Sequence, residues 1–244
     1  MVSTAMPWIG TSGWHYKHWR GPFYPESMSP KDFFPFYVRY FSTVELNNSF
    51  YGLPKPETFQ QWRETSPEGF LFAVKANRYI THMKKLKDTQ EALTDFLERA
   101  SGLKEKLGPI LFQLPPSWRL NLDRLKSFLG DLPQEHRYTF EFRNETWFDP
   151  RVYGLLRDRN VAFCIYDLNR KTSPLPATAD FVYIRLHGPG GPYQGRYDLN
   201  ALQDWANHIR EWLSQGRDVF CYFDNDPHGY AVQNARELIE MVTG

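Results

Sequence analysis

Long apolar runs are missing from this chain of 244 residues. No stretch approaches the ~18 apolar residues that a membrane helix needs, so no membrane partner is expected. Cysteine is scarce: Cys164 and Cys221 are the only two. Both fall inside apolar, strand-like segments, which suits small core residues in a reducing compartment better than a disulfide or a metal pair. Net charge is nearly absent, at +1 from 29 Lys and Arg against 28 Asp and Glu. No global field therefore draws the chain to nucleic acid or to an anionic membrane, and any preference for anions must come from local placement. Also missing are HExxH, Cys/His zinc spacing and the Gly-rich first turn of a dinucleotide-binding sheet. No internal repeat or low-complexity tract is present. Met1–Pro7 holds no basic stretch followed by an apolar run, so no secretory signal is expected and the location is read as cytoplasmic.

Eight apolar segments recur along the chain: Trp8–Ser12, Thr43–Asn47, Phe70–Lys75, Ile110–Gln113, Tyr138–Arg143, Ala162–Asp167, Phe181–His187 and Val219–Asn225. Between them lie helix-like stretches, including Ser29–Tyr37 with Pro30 at its first position, Pro56–Glu64, Thr89–Ala100, Leu122–Leu129, Pro150–Arg159, Leu199–Ser214 and Tyr230–Val242. Asn169–Thr178 reads as a loop, so the sixth helix is expected to be short or missing. Strand alternating with helix argues for a parallel sheet. Eight strands and a length near the roughly 250 residues of a single barrel predict a TIM-type (β/α)₈ barrel, one domain over residues 1–244.

Each segment ends in polar or ionisable residues. These are Ser12, Glu45 with Asn47, Lys75, Gln113, Glu141 with Arg143, Asp167, Arg185 with His187, and Asp224 with Asn225. A buried parallel strand should be almost wholly apolar. In a barrel these ends converge on one mouth, where active sites of the fold lie. Glu45 and Glu141 are the main acid/base candidates, each two residues before another polar group and so on one strand face with it. The competing reading is a buried ion-pair network, Glu141 with Arg143 or Lys75, that only props the structure. Lys75, Arg143 and Arg185 favour an anionic substrate or a charged transition state. His187 is a catalytic or ligand candidate. It opens the loop Gly188–Gly195, whose glycines could form an anion-binding nest, although Pro189 and Pro192 remove two donors. Asn47, Gln113 and Asn225 complete the polar set expected to touch substrate.

Aromatic residues reach 17%. Many fall in loops after the strands, where most are expected to build a lid and small core. Trp14, Tyr51 and Tyr193 are the expected ligand contacts. No metal motif is present, yet Glu45, Glu141, His187 and Asp224 could hold a divalent ion if brought together from separate strands.

Several motifs carry a resemblance to a known family. They are Gly10-Thr-Ser-Gly-Trp-His-Tyr16 with Trp19, Val44-Glu-Leu-Asn-Asn-Ser-Phe-Tyr51, Phe72-Ala-Val-Lys75 with Thr81-His82, Gln113-Leu-Pro-Pro116, Glu141-Phe-Arg-Asn-Glu-Thr-Trp147, Arg185-Leu-His-Gly188, and Phe223-Asp-Asn-Asp226 with Asn234-Ala235. From Trp8 to Val242 the chain closely resembles the YecE-like family, a family of unknown function. The resemblance implies a TIM barrel and supplies no reaction. It also implies Ser where Thr146 stands and Asn where Asp224 stands, so Asp224 adds a charge that the family usually lacks. At the level of fold the barrel is similar to the endonuclease IV and xylose isomerase superfamily, which is weak warrant for function.

Three functions are therefore expected to compete. The first is a hydrolase or lyase working by acid/base chemistry on an anionic, phosphorylated small molecule or nucleotide. The second is metal-assisted phosphodiester cleavage or nucleic-acid binding. The third is a non-catalytic nucleotide- or sugar-binding module. Oligomeric state is left open by the sequence.

Overall fold

A computed structural model describes residues 5–169 and 171–244. Along the chain the elements are β1 (Pro7–Thr11), α1 (Phe33–Tyr37), β2 (Thr43–Leu46), α2 (Asn48–Tyr51), α3 (Pro56–Thr65), β3 (Leu71–Lys75), α4 (Gln90–Ala100), β4 (Leu107–Leu114), α5 (Leu122–Asp131), β5 (Tyr138–Phe142), α6 (Pro150–Arg157), β6 (Ala162–Leu168), β7 (Lys171–Thr172), β8 (Phe181–Leu186), α7 (Leu199–Ser214), β9 (Asp218–Phe223) and α8 (Tyr230–Thr243). All eight expected strands are present. β7 is an additional two-residue strand, paired antiparallel to β6. No helix lies between β6 and β8 among the described residues, as the polar, Pro-containing connection predicts.

The strands are shorter at their ends than their polar residues suggest. Ser12, Asn47, Arg143, His187, Asp224 and Asn225 lie just past the regular strands, whereas Glu45, Lys75, Gln113, Glu141, Asp167 and Arg185 lie inside them. The apolar, β-branched and aromatic stretches sustain the ladder, and it stops where polar side chains need other partners. Helix starts follow ordinary capping chemistry. Asn121, Asp149 and Asp198 accept from the backbone N–H groups of Arg124, Arg151 and Ala201. Ser29 does not cap: its stretch opens as a single tight turn at Pro30–Asp32 before α1.

The chain groups into two compact units, passing between them after Glu45 in β2, after Cys164 in β6, and again after Leu175 and Ala179. One unit comprises residues up to Glu45, Ile165–Leu175 and Asp180–Gly244. Its centre is the parallel set β1, β9 and β8, with Ile9 and Ile184 both aligned on Cys221. Ser12 bridges to Glu45 in parallel register. Gly10 is required there, because a Cβ would press into the Thr43 carbonyl. The loop after β1 builds an aromatic core of its own. Trp19 and Tyr24 are buried, Tyr24 stacks on Phe33 at 4.1 Å, and Trp19 Nε1 donates to the Asp226 carbonyl. α7 buries Leu202, Trp205, Ala206, Ile209 and Trp212, one stripe at helical spacing.

The other unit comprises Leu46–Cys164 and Pro176–Ala179. In it β3, β4 and β5 run parallel, with Lys75 beside Leu111 and Gln113 beside Glu141. Cys164 and Cys221 are buried, as expected of small core residues, and neither is in a disulfide. No helix among the described residues is long and apolar enough to cross a membrane.

Candidate active-site residues

In the unit built on β1, β9 and β8, period-two alternation puts Tyr183, Arg185 and His187 on one line of side chains. Glu45 is the centre of this group and is wholly buried. Arg185 Nη2 donates to Glu45 Oε1 at 2.8 Å and Arg185 Nε to Oε2 at 3.0 Å. Tyr183 donates to Oε2 and Ser12 to Oε1, both at 2.7 Å. A layer below, Thr43 and Tyr222 share a hydrogen bond of 2.7 Å. Glu45 is thus a buried carboxylate with both oxygens taken, by a guanidinium and two hydroxyls.

The network extends outward through Asp224. Its Oδ2 stands 3.1 Å from both Arg185 Nη2 and His187 Nδ1. The Asp224 side chain keeps 14% exposure while Arg185 keeps 1% and His187 none. Asp224 is therefore the accessible end of a chain of charges whose inner end is Glu45. Tyr16 donates to the Ser12 carbonyl at 2.6 Å. Burial first, then Asp224, Asp226 and Glu45, push its hydroxyl far above the ordinary tyrosine range, with Arg185 opposing. Burial and Asp224 likewise raise Asp226 against the pull of His18, whose Nε2 lies 3.1 Å from Asp226 Oδ2. Asp226 does not cap the following turn; His18 takes its carboxylate.

The loop after β8 is tied to itself. Gly188 N–H donates to Tyr197 hydroxyl, Gly190 N–H to the Gln194 carbonyl, and Gln194 N–H to the Gly191 carbonyl. Gly188 has φ +103° and passes so close to Gln194 that a side chain would clash. The Gly188 and Gly190 amides, expected to face an anion, are thus spent inside the turn. The ring of Tyr193 lies edge-on to His187 at 5.3 Å. Asn225 bridges the Gly195 carbonyl and Asn234 through its amide nitrogen, which makes it a clamp for the loop. Trp14 packs on Phe34 at 4.9 Å.

The second group lies in the unit containing β3, β4 and β5. Glu141 is wholly buried and ion-paired with Arg143. Lys75, 9% exposed, places its Nζ 4.4 Å from the centre of the Phe50 ring. Phe50 meets His82 edge-on at 5.0 Å, and Tyr51 beside it is 76% exposed. His82 sits on a single widened turn, Tyr79–Met83, where Lys84 N–H reaches back five residues to the Tyr79 carbonyl. Such turns concentrate at functional sites. Asn77 fixes it by accepting from Tyr79 N–H and donating to the Ser49 carbonyl. Thr81 Oγ1 lies 2.9 Å from His82 Nδ1. Burial lowers His82 to about 4, helped by the charges of Lys75, Arg78 and Arg143 and opposed by Glu141. At neutral pH the imidazole is uncharged in a locally positive field.

Thus the structure joins Glu45, Arg185 and His187 in one network and Lys75, Glu141 and Arg143 in the surroundings of His82. Gln113 is half-buried next to Glu141 in register, and Asn47 is half-buried just past β2. Ser12 stands where the end of the first strand places it, whereas Tyr183 and Tyr16 are not among the site candidates that the sequence offers, nor is the role of His82. Tyr183 was two residues before Arg185 on the same strand face, a signal the alternation offers. His82 stands amid Arg78, Lys84, Lys85 and Lys87, so composition alone marks the stretch as basic. Among the described residues no three His, Cys, Asp or Glu side chains converge as metal donors. Glu45 in particular has its oxygens filled by Arg185, Tyr183 and Ser12, so the four-residue ligand set does not fit a divalent ion.

The comparisons place this geometry in a class and then in a family. A DUF72 family protein from Thermotoga maritima has a solved structure that superposes with a TM-score of 0.89, at 27% identity, over 98% of this chain and 100% of that one. Another from Enterococcus faecalis gives 0.83 at 20% identity, over 98% and 96%. The fold class is a TIM-type α/β barrel. The family model described as "Protein of unknown function DUF72" matches residues 8–244, and the chain belongs to that family. Its relatives include the UPF0759 protein YecE of Escherichia coli K12, 37% identical over 72% of this chain and 73% of that protein. The UPF0759 protein YunF of Bacillus subtilis is 27% identical over 97% and 95%. These names carry no reaction.

Proposed function

We propose that this protein is an enzyme, a hydrolase or lyase, that uses acid/base chemistry on a small anionic molecule bearing a phosphate group. The observation that carries the reading is the uncharged His82 set among Lys75, Arg78 and Arg143. Cations of this density around a half-buried base favour an anionic ligand. In this reading Lys75 and Arg143 hold the anion, and Glu141 fixes the Arg143 fork. His82 takes a proton from the bound molecule or its attacking water. A bound dianion offsets the cations that depress His82, so the imidazole becomes a stronger base when substrate is present. Glu141 can pass a proton once the anion competes for Arg143. His187, oriented by Asp224, is the chain's other proton carrier.

The test is a panel of phosphate monoesters followed by phosphorus NMR, with inorganic phosphate titrated in parallel by calorimetry. Turnover that is lost in Glu141→Gln and His82→Gln, with binding lost in Lys75→Met, supports the proposal. Binding of phosphate that survives Lys75→Met and Arg143→Met would sink it. A non-catalytic sensor is the second reading, favoured by the full occupation of Glu45. It predicts ligand affinity without turnover and indifference of the bound state to His82→Gln.

A further inference from the structure

A cleft of about 450 Å³ lies along the flank of α7, lined by Asp167, Leu175, Tyr197, Asp204, Trp205 and His208. It shares Tyr197 and the start of the loop after β8 with the first group described above, and none of that group's charged side chains. The TIM fold ordinarily follows each strand with a helix. Here β6 is followed by the β7 hairpin and the extended stretch beyond it, so the Ala201–Asp204–Trp205–His208 face of α7 lines an open groove. Its volume is that of a small-molecule site.

Among the described residues the lining has one sign of charge: two carboxylates contribute to it and no Lys or Arg does. Asp167 is buried, with 8% of its surface exposed. Its oxygens accept from two neutral hydroxyls, Tyr197 at 2.8 Å and Thr172 at 3.0 Å. Among the described residues no cationic side chain pairs with it. A buried carboxylate with only neutral donors keeps uncompensated charge and spare lone pairs. Trp205 and Tyr197 bring aromatic surface to the same space, which suits a cation carried on an apolar stem.

We propose that this cleft binds a small organic cation, an ammonium or guanidinium group on an apolar stem, with Asp167 and Asp204 as its counter-charges. The ammonium enters toward Asp167, and the stem lies along Leu175 and Trp205. The inference stands apart from the phosphate reading, since it uses other residues and the opposite charge. The backbone N–H of His187 donates to the Asp167 carbonyl at 2.9 Å, which ties this end of the cleft to the strand end that carries that histidine.

The experiment uses the full chain and three probes of one shape: 2-phenylethylamine, 2-phenylethanol and 3-phenylpropionate. The readouts are calorimetry and the Trp205 indole N–H in nitrogen–proton correlation spectra. The expected result is a saturable shift with the amine alone, at millimolar concentration or below. Asp204→Asn weakens it severalfold, and Asp167→Asn weakens it about tenfold, the loss of one charge-assisted contact. Ala201→Phe fills the cleft and removes the response without changing the unfolding midpoint, which keeps the test decisive if Asp167→Asn fails to fold. No saturable shift with the amine, an equal response to the alcohol, or amine binding of wild-type affinity in Ala201→Phe would overturn the proposal.

Discussion

Arg185 grips two carboxylates with one nitrogen: its Nη2 stands 2.8 Å from Glu45 Oε1 and 3.1 Å from Asp224 Oδ2. The first partner is wholly buried and the second partly exposed. Arg185 is therefore the link between an interior charge and an accessible one. Removing the inner partner leaves a guanidinium buried with half its compensation. Glu45→Gln is expected to destabilise the fold by about 3 to 5 kcal/mol, the usual cost of breaking one side of a buried pair. Urea unfolding measures it. Glu45→Gln combined with Arg185→Met should recover part of the loss; no recovery would show that the two side chains act separately.

Tyr183→Phe is the gentler test of the same network. It keeps the ring and deletes the donor to Glu45 Oε2. A hydrogen bond to a charged group is worth about 1.5 to 3 kcal/mol. The same denaturant experiment should return a loss in that range with an unchanged slope. A neutral outcome would mean that Glu45 draws its compensation from Arg185 and Ser12 alone.

His82 makes stability depend on pH in a defined direction. Its ordinary value is 6.5 and the folded protein lowers it to about 4. The unfolded chain therefore binds this proton first as pH falls. The stabilising contribution is complete above about 6.5 and is lost as pH drops toward 4. The unfolding midpoint of the wild type should fall more steeply across that window than that of His82→Gln. Parallel curves would remove the positive field from the account.

Asp226 carries the opposite sign. Burial and Asp224 raise its carboxyl, so the ionised form is disfavoured in the folded state even with His18 beside it. Its contribution worsens as pH rises through the carboxylate range. Asp226→Asn should raise the unfolding midpoint at pH 7 and have less effect in acid. Calorimetric scans at both pH values decide it; a lower midpoint at pH 7 would show that the ion pair with His18 outweighs the burial.

Much of this was legible in the sequence because parallel strands demand continuous apolar runs. Phe181–Leu186 and Leu71–Lys75 announce themselves for that reason, and Lys75, Glu45 and Arg185 stand out by breaking the pattern. The missing helix after Leu168 was readable from its polar, Pro-containing connection. Partnership was not. Nothing in the order of residues says that Arg185 chooses Glu45 and Asp224, or that the Gly188 amide is spent on Tyr197. Those choices depend on which strands neighbour one another and on loop geometry. His82 was hidden for a different reason. Its character comes from burial, from Lys75 and Arg78 just before it in the chain, and from Arg143, the residue after β5, which lies far away in sequence.

The proposed function rests on the field around His82 being built for an anion. The measurement is the titration of the His82 imidazole by NMR, without and with inorganic phosphate. A midpoint near 4 that moves upward with saturable phosphate in the wild type, and shows no phosphate response in Lys75→Met, is the predicted result. A midpoint at the ordinary histidine value, or one that ignores phosphate, would contradict the account.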